Sequence, residues 1–191
     1  MLFKSKDARP SEIDIKPDGK IATNKAIEKK IKAKESMKKA FRNIDKGKDI
    51  HFVSAGTWST HDLMEYLLEK TGPAEVTCCT WSVSNPALEK LMKLMNGKIT
   101  KLNMLMDWSK GKDAATWIRM NAHKFNTSTC HAKVTVIEND KHNIAIVGSA
   151  NWTNNPRIEA GVLSTDKDIC KFHKDWIMNE INRDNTLGLD L

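Results

Sequence analysis

His131 and Lys133 stand two residues apart at the head of an apolar run, His131-Ala-Lys133-Val-Thr-Val-Ile-Glu138. After a polar turn and a second apolar run come Gly148-Ser149-Ala-Asn151 and, further on, Glu159-Ala-Gly161. Side chains two apart on a strand share a face about 6.6 Å apart, so the imidazole and the ammonium project together. Val134 and Val136 turn to the other face and the core. Gly148, Ser149, Ala150 and Asn151 leave the next strand in a turn that offers a hydroxyl, a carboxamide and backbone N–H groups. An imidazole, a fixed cation and neutral donors suit a phosphate diester. A neutral imidazole attacks phosphorus while the lysine balances charge building on the equatorial oxygens. Glu159 can hold the second imidazole nitrogen and fix its tautomer.

Those residues need strands to carry them. Strands at 132–138 and Asn143–Gly148 flank the turn Asn139-Asp140-Lys141-His142. Upstream, a strand fits 51–55. A helix capped by Ser59 or Thr60 then carries Leu63, Met64, Leu67 and Leu68 and closes at Gly72. A strand fits 75–81. Asn85 reads as an N-cap with Pro86 at the first helical position, opening a helix that ends at Gly97. Ile99–Asp107 alternates as a strand, and Asp113 caps a short helix running to Met120. A last helix over 168–182 is expected to bury Ile169, Phe172, Trp176 and Ile177. Alternation of this kind predicts an α/β fold, a mixed β-sheet flanked by helices in an α/β/α sandwich.

The chain has 191 residues, 40% apolar and 29% charged, which fits one domain with an ordinary core. Collagen-like, mucin-like and wholly disordered chains are excluded. No stretch approaches the ~18 apolar residues of a membrane span. The charged opening has no apolar signal region, and the four cysteines lack CxxC spacing. Free thiols in a reducing, cytoplasmic setting are the expectation. Net charge is +7 and unevenly spread: residues 1–50 hold 15 Lys and Arg against 8 Asp and Glu, the remainder 16 against 16. Residues 1–48 therefore read as a basic N-terminal arm, a loop to about Ala22 and then an amphipathic helix over 24–44 with Ile27, Ile31, Met37, Ala40, Phe41 and Ile44 on one side. Its lysine face is either plainly solvated or a contact for nucleic acid. Residues 49–191 form the domain proper.

The motif pair resembles the phospholipase D superfamily, whose signature is H-x-K-x4-D followed by G-S-x-N. His131, Lys133, Ser149 and Asn151 match, and Glu159 stands where the family places an acidic partner for the histidine. Glu138 replaces the family's Asp, and the gap to Gly148 is longer than usual. Because Glu138 closes a strand and faces a turn, it is read as structural.

The resemblance implies a catalytic set of His131, Lys133, Ser149, Asn151 and Glu159, with Lys133 and Asn151 also binding substrate. It implies a homodimer, because the chain has one copy of the motif and an active centre needs two. One His131 would be the nucleophile, forming a phosphohistidine, and the other the general acid. No cofactor and no metal are implied: two lysines and two asparagines supply the charge a cation would bring. Small single-motif members are mostly nucleases, and the basic arm agrees, so nucleic acid is the expected substrate. A phospholipid phosphodiesterase and a non-catalytic nucleic-acid-binding module are the alternatives. Trp58, Trp81 and Trp108 each follow a predicted strand and, with Trp152, are candidates for stacking on bases; packing in the core or at its rim is their other possible fate.

Overall fold

A computed structural model of the chain describes residues 18–22, 27–30, 33–44, 47–54, 58–109, 112–153 and 157–183. Side chains are described from Met37 onward, so the lysines at 25, 29, 30, 32 and 34, and the opening loop before residue 18, lie outside that description. In chain order the elements are β1 (Asp18–Ala22), β2 (Ile27–Lys30), α1 (Ala33–Ala40), β3 (Asp49–Val53), α2 (Thr60–Thr71), β4 (Ala74–Thr80) and α3 (Asn85–Met95). They continue with β5 (Ile99–Asp107), α4 (Lys112–Asn121), β6 (Lys124–Ser128), β7 (Val134–Glu138), β8 (Asn143–Gly148), β9 (Ala160–Ser164) and α5 (Lys167–Ile181).

Local chemistry sets the helix ends. Ser59 caps α2 in a reciprocal box: its hydroxyl accepts the Asp62 N–H, and the Asp62 carboxylate accepts the Ser59 N–H at 2.9 Å. Gly72 ends that helix at φ +81°, a conformation that favours glycine. The cap of α3 is Ser84, one residue earlier than expected, with Pro86 in the first turn, where its missing N–H leaves no bond unmade. Asp166 caps α5 by accepting from Asp168 N and Ile169 N at 2.8 and 3.1 Å.

The strands join one mixed sheet in the order β2-β1-β3-β9-β8-β7-β4-β5-β6. Only β4–β5 and β5–β6 pair in parallel; every other neighbour is antiparallel. The central strands are covered on both faces, which is why β7 is buried from Val134 to Ile137 without alternation. On one face lie α1 to α4, with Phe41, Leu63, Met64, Leu67 and Leu91 packed on Val76, Met104, Ile137 and Ile146. On the other lies α5, setting Cys170, Ile177 and Ile181 against Cys79, Leu105, Val134 and Val136.

Four expectations are corrected. The continuous helix over 24–44 is replaced by β2 and the shorter α1; the downstream half of that segment still docks, because Met37, Ala40 and Phe41 enter the main core. Strand β1 pairs with β3 at the sheet's antiparallel side. Strands β6 and β9 are additions: the first is polar and lies at an edge, and the second is a five-residue segment holding Gly161, so neither has a readable apolar pattern. In α5, Ile169 and Phe172 are exposed, at 43% and 63%, because the stripe that meets the sheet runs through Cys170, Ile177 and Ile181.

Candidate active site

The C-terminal ends of β4, β5, β6 and β8 and the start of β7 all open at one end of the sheet, together with the first turns of α2 and α3. There the loop between β6 and β7 carries His131. It is held from behind by Asp107, which ends β5 and accepts the Cys130 N–H at 3.2 Å and the Ser109 N–H at 2.9 Å. Gly148 N–H donates to Lys133 O at 3.1 Å, tying the same loop to the end of β8.

His131 and Lys133 precede the strand, which begins at Val134 and not at residue 132 as expected. They meet nonetheless. Lys133 Nζ lies 3.0 Å from His131 Nδ1 and donates to His131 O at 2.6 Å. The imidazole is exposed and lies 5.6 Å from the Trp81 ring at a 56° tilt. Partial burial pushes the Lys133 ammonium below the ordinary lysine range, and the Glu159 carboxylate works the other way.

Glu159 sits against Ser149. The Ser149 hydroxyl donates to Glu159 Oε2 and accepts the Ala160 N–H at 3.1 Å, while the Ser149 N–H donates to Ala160 O at 3.0 Å. The expected bond from Glu159 to the second imidazole nitrogen is not formed: the carboxylate is turned to Ser149 and the ring to Lys133 and Trp81. Lys133 and Glu159 still line one small pocket, with Ser54, Thr60 and Gly148. Behind the pocket-lining Phe52, position 161 needs glycine, since a Cβ on Gly161 would lie 2.5 Å from the Phe52 ring and 2.8 Å from Val147 O.

Asn151 lies next along the turn, and its Oδ1 is buried without a hydrogen-bond partner. The turn is tied to both helix starts: Thr60 Oγ1 donates to Ala150 O at 3.2 Å and Ser84 N donates to Trp152 O at 2.9 Å. Trp58 and Trp152 are corrected as stacking candidates. Trp58 packs edge-on with Phe41 and tilted against Phe52, and Trp152 is 1% exposed, so neither offers a face to a base. Trp81 is half-buried beside His131, and Trp108, at the end of β5, is 66% exposed.

Glu138 lies at the far end of β7. It pairs across the sheet with Glu75, and Lys174 of α5 bridges the two at 2.7 and 3.1 Å. Burial works against the charge on Lys174, but hydrogen bonds to both carboxylates raise it. Sequence reasoning took Asp107 only as a strand end and Thr60 only as a possible helix cap; the readable signal for Asp107 was an acid closing an otherwise apolar strand. Among the described residues, no group of three or more His, Cys, Asp or Glu side chains could hold a metal ion, and no helix is long and apolar enough to cross a membrane.

No protein-family model matches this chain, and no curated protein does. Solved structures do. A phospholipase D family member, Nuc from Salmonella typhimurium, aligns over 61% of this chain and 85% of its own, at 13% identity and a TM-score of 0.47. NucT from Helicobacter pylori aligns over 69% of this chain and 94% of its own, at 16% identity and a TM-score of 0.51. The chain shares the fold of NucT. Polyphosphate kinase from Porphyromonas gingivalis also aligns, over 65% of this chain and 22% of its own, at 14% identity and a TM-score of 0.48. At these identities the likeness is one of fold. In this chain the motif residues gather at one end of the sheet: His131 touches Lys133, Ser149 touches Glu159, and Lys133 and Glu159 share a pocket.

Proposed function

We propose that this chain is a metal-independent phosphodiesterase that hydrolyses nucleic acid through a phosphohistidine at a site shared by two copies. One observation carries the reading: an exposed imidazole lies within 3.0 Å of an ammonium, at the end of the sheet where the turn of Ser149 and Asn151 also opens. His131 of one copy attacks phosphorus, so the P–N bond forms as the P–O bond to the leaving group breaks. His131 of the second copy protonates that oxygen and then takes a proton from the water that hydrolyses the phosphohistidine. Lys133 and the Asn151 carboxamide meet the charge on the equatorial oxygens. The excess of 15 basic over 8 acidic residues in residues 1–50 supports a polyanionic substrate.

The test is cleavage of plasmid, single-stranded DNA and RNA in EDTA, run beside phosphatidylcholine vesicles. Nucleic-acid cleavage with an acid-labile phosphoprotein that disappears in His131→Ala is expected. Cleavage of the vesicles alone would move the substrate to lipid, and binding of nucleic acid without turnover would leave a binding module. Mixing wild-type with excess His131→Ala under exchange conditions then tests the shared site. Activity should follow the square of the wild-type fraction, and a linear fall, with exchange confirmed by mass, would remove the two-histidine mechanism.

A further inference from the structure

Five of the six tryptophans are taken up by packing. Trp58 and Trp152 are buried in the core, Trp117 and Trp176 lie against it, and Trp81 is half-buried beside His131. Trp108 differs, with 66% of its surface in water. It follows β5 in a turn that is tied down on both sides. Its own N–H donates to Ser128 O of β6 at 3.2 Å, and Asp107 Oδ1 accepts the Ser109 N–H at 2.9 Å. The other oxygen of that carboxylate accepts the Cys130 N–H at 3.2 Å, and Cys130 immediately precedes His131. One side chain thus braces both the turn that carries Trp108 and the loop that carries the imidazole. Through this brace the Cα atoms of Trp108 and His131 stand no more than about 16 Å apart. At ~3.4 Å per phosphate of a stacked strand, that is a span of a few nucleotides.

We propose that Trp108 is a stacking platform for an unpaired base close to the cleaved phosphate, so that the substrate is single-stranded nucleic acid. The cleavage rests on the phosphodiesterase reading above; the stacking does not. An indole offers a broad π-face and every base has one, so the contact needs no particular sequence. In a duplex each base is stacked on its neighbours and paired. It reaches the indole only after unstacking and unpairing, a cost that a single strand does not meet. Basic side chains hold phosphates in either form of nucleic acid, so they give affinity without choosing between the two. The ring makes the choice. The backbone beneath it is fixed by Asp107 and Ser128 before any ligand arrives, which leaves little ordering to oppose the stack.

Binding is measured in EDTA with the full chain carrying His131→Ala, so that no strand is cut. The probes are a labelled oligothymidylate, its duplex with oligoadenylate, and an abasic strand of equal length and charge. Adding Trp108→Ala should weaken the oligothymidylate complex about tenfold and leave the duplex and the abasic strand unchanged. Trp108→Phe keeps a π-face and should recover most of the loss. Oligothymidylate should also quench tryptophan emission, and the quench should shrink in Trp108→Ala. With His131 in place, Trp108→Ala should raise KM for the cleaved strand about tenfold at nearly constant kcat, and the unsubstituted chain should cut the strand far faster than the duplex. Unchanged oligothymidylate binding in Trp108→Ala, an equal loss on the abasic strand, a Phe variant as weak as the Ala one, or a duplex cut as fast as the strand would overturn the proposal. If the binding pattern appears but the unsubstituted chain cuts nothing, the platform stands and the phosphodiesterase reading falls. If strands are cut and Trp108→Ala binds them normally, that reading stands and the platform falls.

Discussion

Ser149 gives its hydroxyl proton to Glu159 and takes the backbone N–H of Ala160, so the start of β9 and the turn after β8 are locked through one side chain. The bond holds the carboxylate near Lys133 and away from the imidazole. Ser149 and Glu159 should therefore act as a unit. Ser149→Ala and Glu159→Gln should each lower kcat/KM about tenfold, and the double variant should be little worse than either. A double-mutant cycle in a diester assay measures this, and additive losses would mean that Glu159 acts independently of Ser149.

His131→Ala should abolish turnover while leaving Tm unchanged, because the side chain is exposed and contributes nothing to the core. Lys133→Ala should lower kcat by about 10²–10³, the usual cost of removing one preorganised group from a developing charge. Calorimetry and single-turnover kinetics on the two variants check both halves. Full activity in either would remove the proposed site.

Glu138→Gln should behave differently. The residue's partner is Lys174, and β7 alone separates Glu138 from Val134 by ~13 Å. The expected result is a loss of about 1 kcal/mol in urea unfolding with kcat unchanged. A loss of activity as deep as that of His131→Ala would make Glu138 part of the site.

Asp62 predicts the acid limb of stability. Burial opposes its charge, but hydrogen bonds from Lys90 and Ser59 hold the carboxyl at about 2, below its ordinary 3.8. A carboxyl whose folded value lies below its unfolded one contributes stability above the unfolded value and loses it as pH falls through the folded one. Between pH ~4 and ~2 the wild-type should therefore lose on the order of 2 kcal/mol that Asp62→Asn does not lose. Urea titrations at pH 5 and 2.5 give the comparison.

Phe41 anchors the segment before the first long helix. It is fully buried and packs edge-on against Phe52 and Trp58, at 5.7 and 6.1 Å. Phe41→Ala should cost about 3–5 kcal/mol, read by chemical denaturation. Deleting residues 1–48 should for the same reason leave the remainder prone to precipitate. A soluble, fully cooperative truncated protein would show that Phe41 is dispensable.

Much of this molecule was determined by local sequence. The strand Ile99–Asp107 and the pair of strands behind His131 and Ser149 are each an apolar run, the helix between Ser59 and Gly72 carries its own caps, and those signals act within a few residues. The types of the site residues were equally legible, because H-x-K and G-S-x-N are short-range spacings. Tertiary structure decided the rest. Strand β9 is placed by pairing with β8 before it and with β3, far off in the chain, and nothing within Ala160–Ser164 announces it. The burial of Trp58 and Trp152 follows from what packs over them, and the choice of Glu159 between His131 and Ser149 follows from the pairing of Gly148 with Gly161. Which face of α5 meets the sheet was open as well: Ile169 and Phe172 are as apolar as Ile177 and Ile181, and only the position of the helix over β4 to β8 sends one pair inward and leaves the other in water.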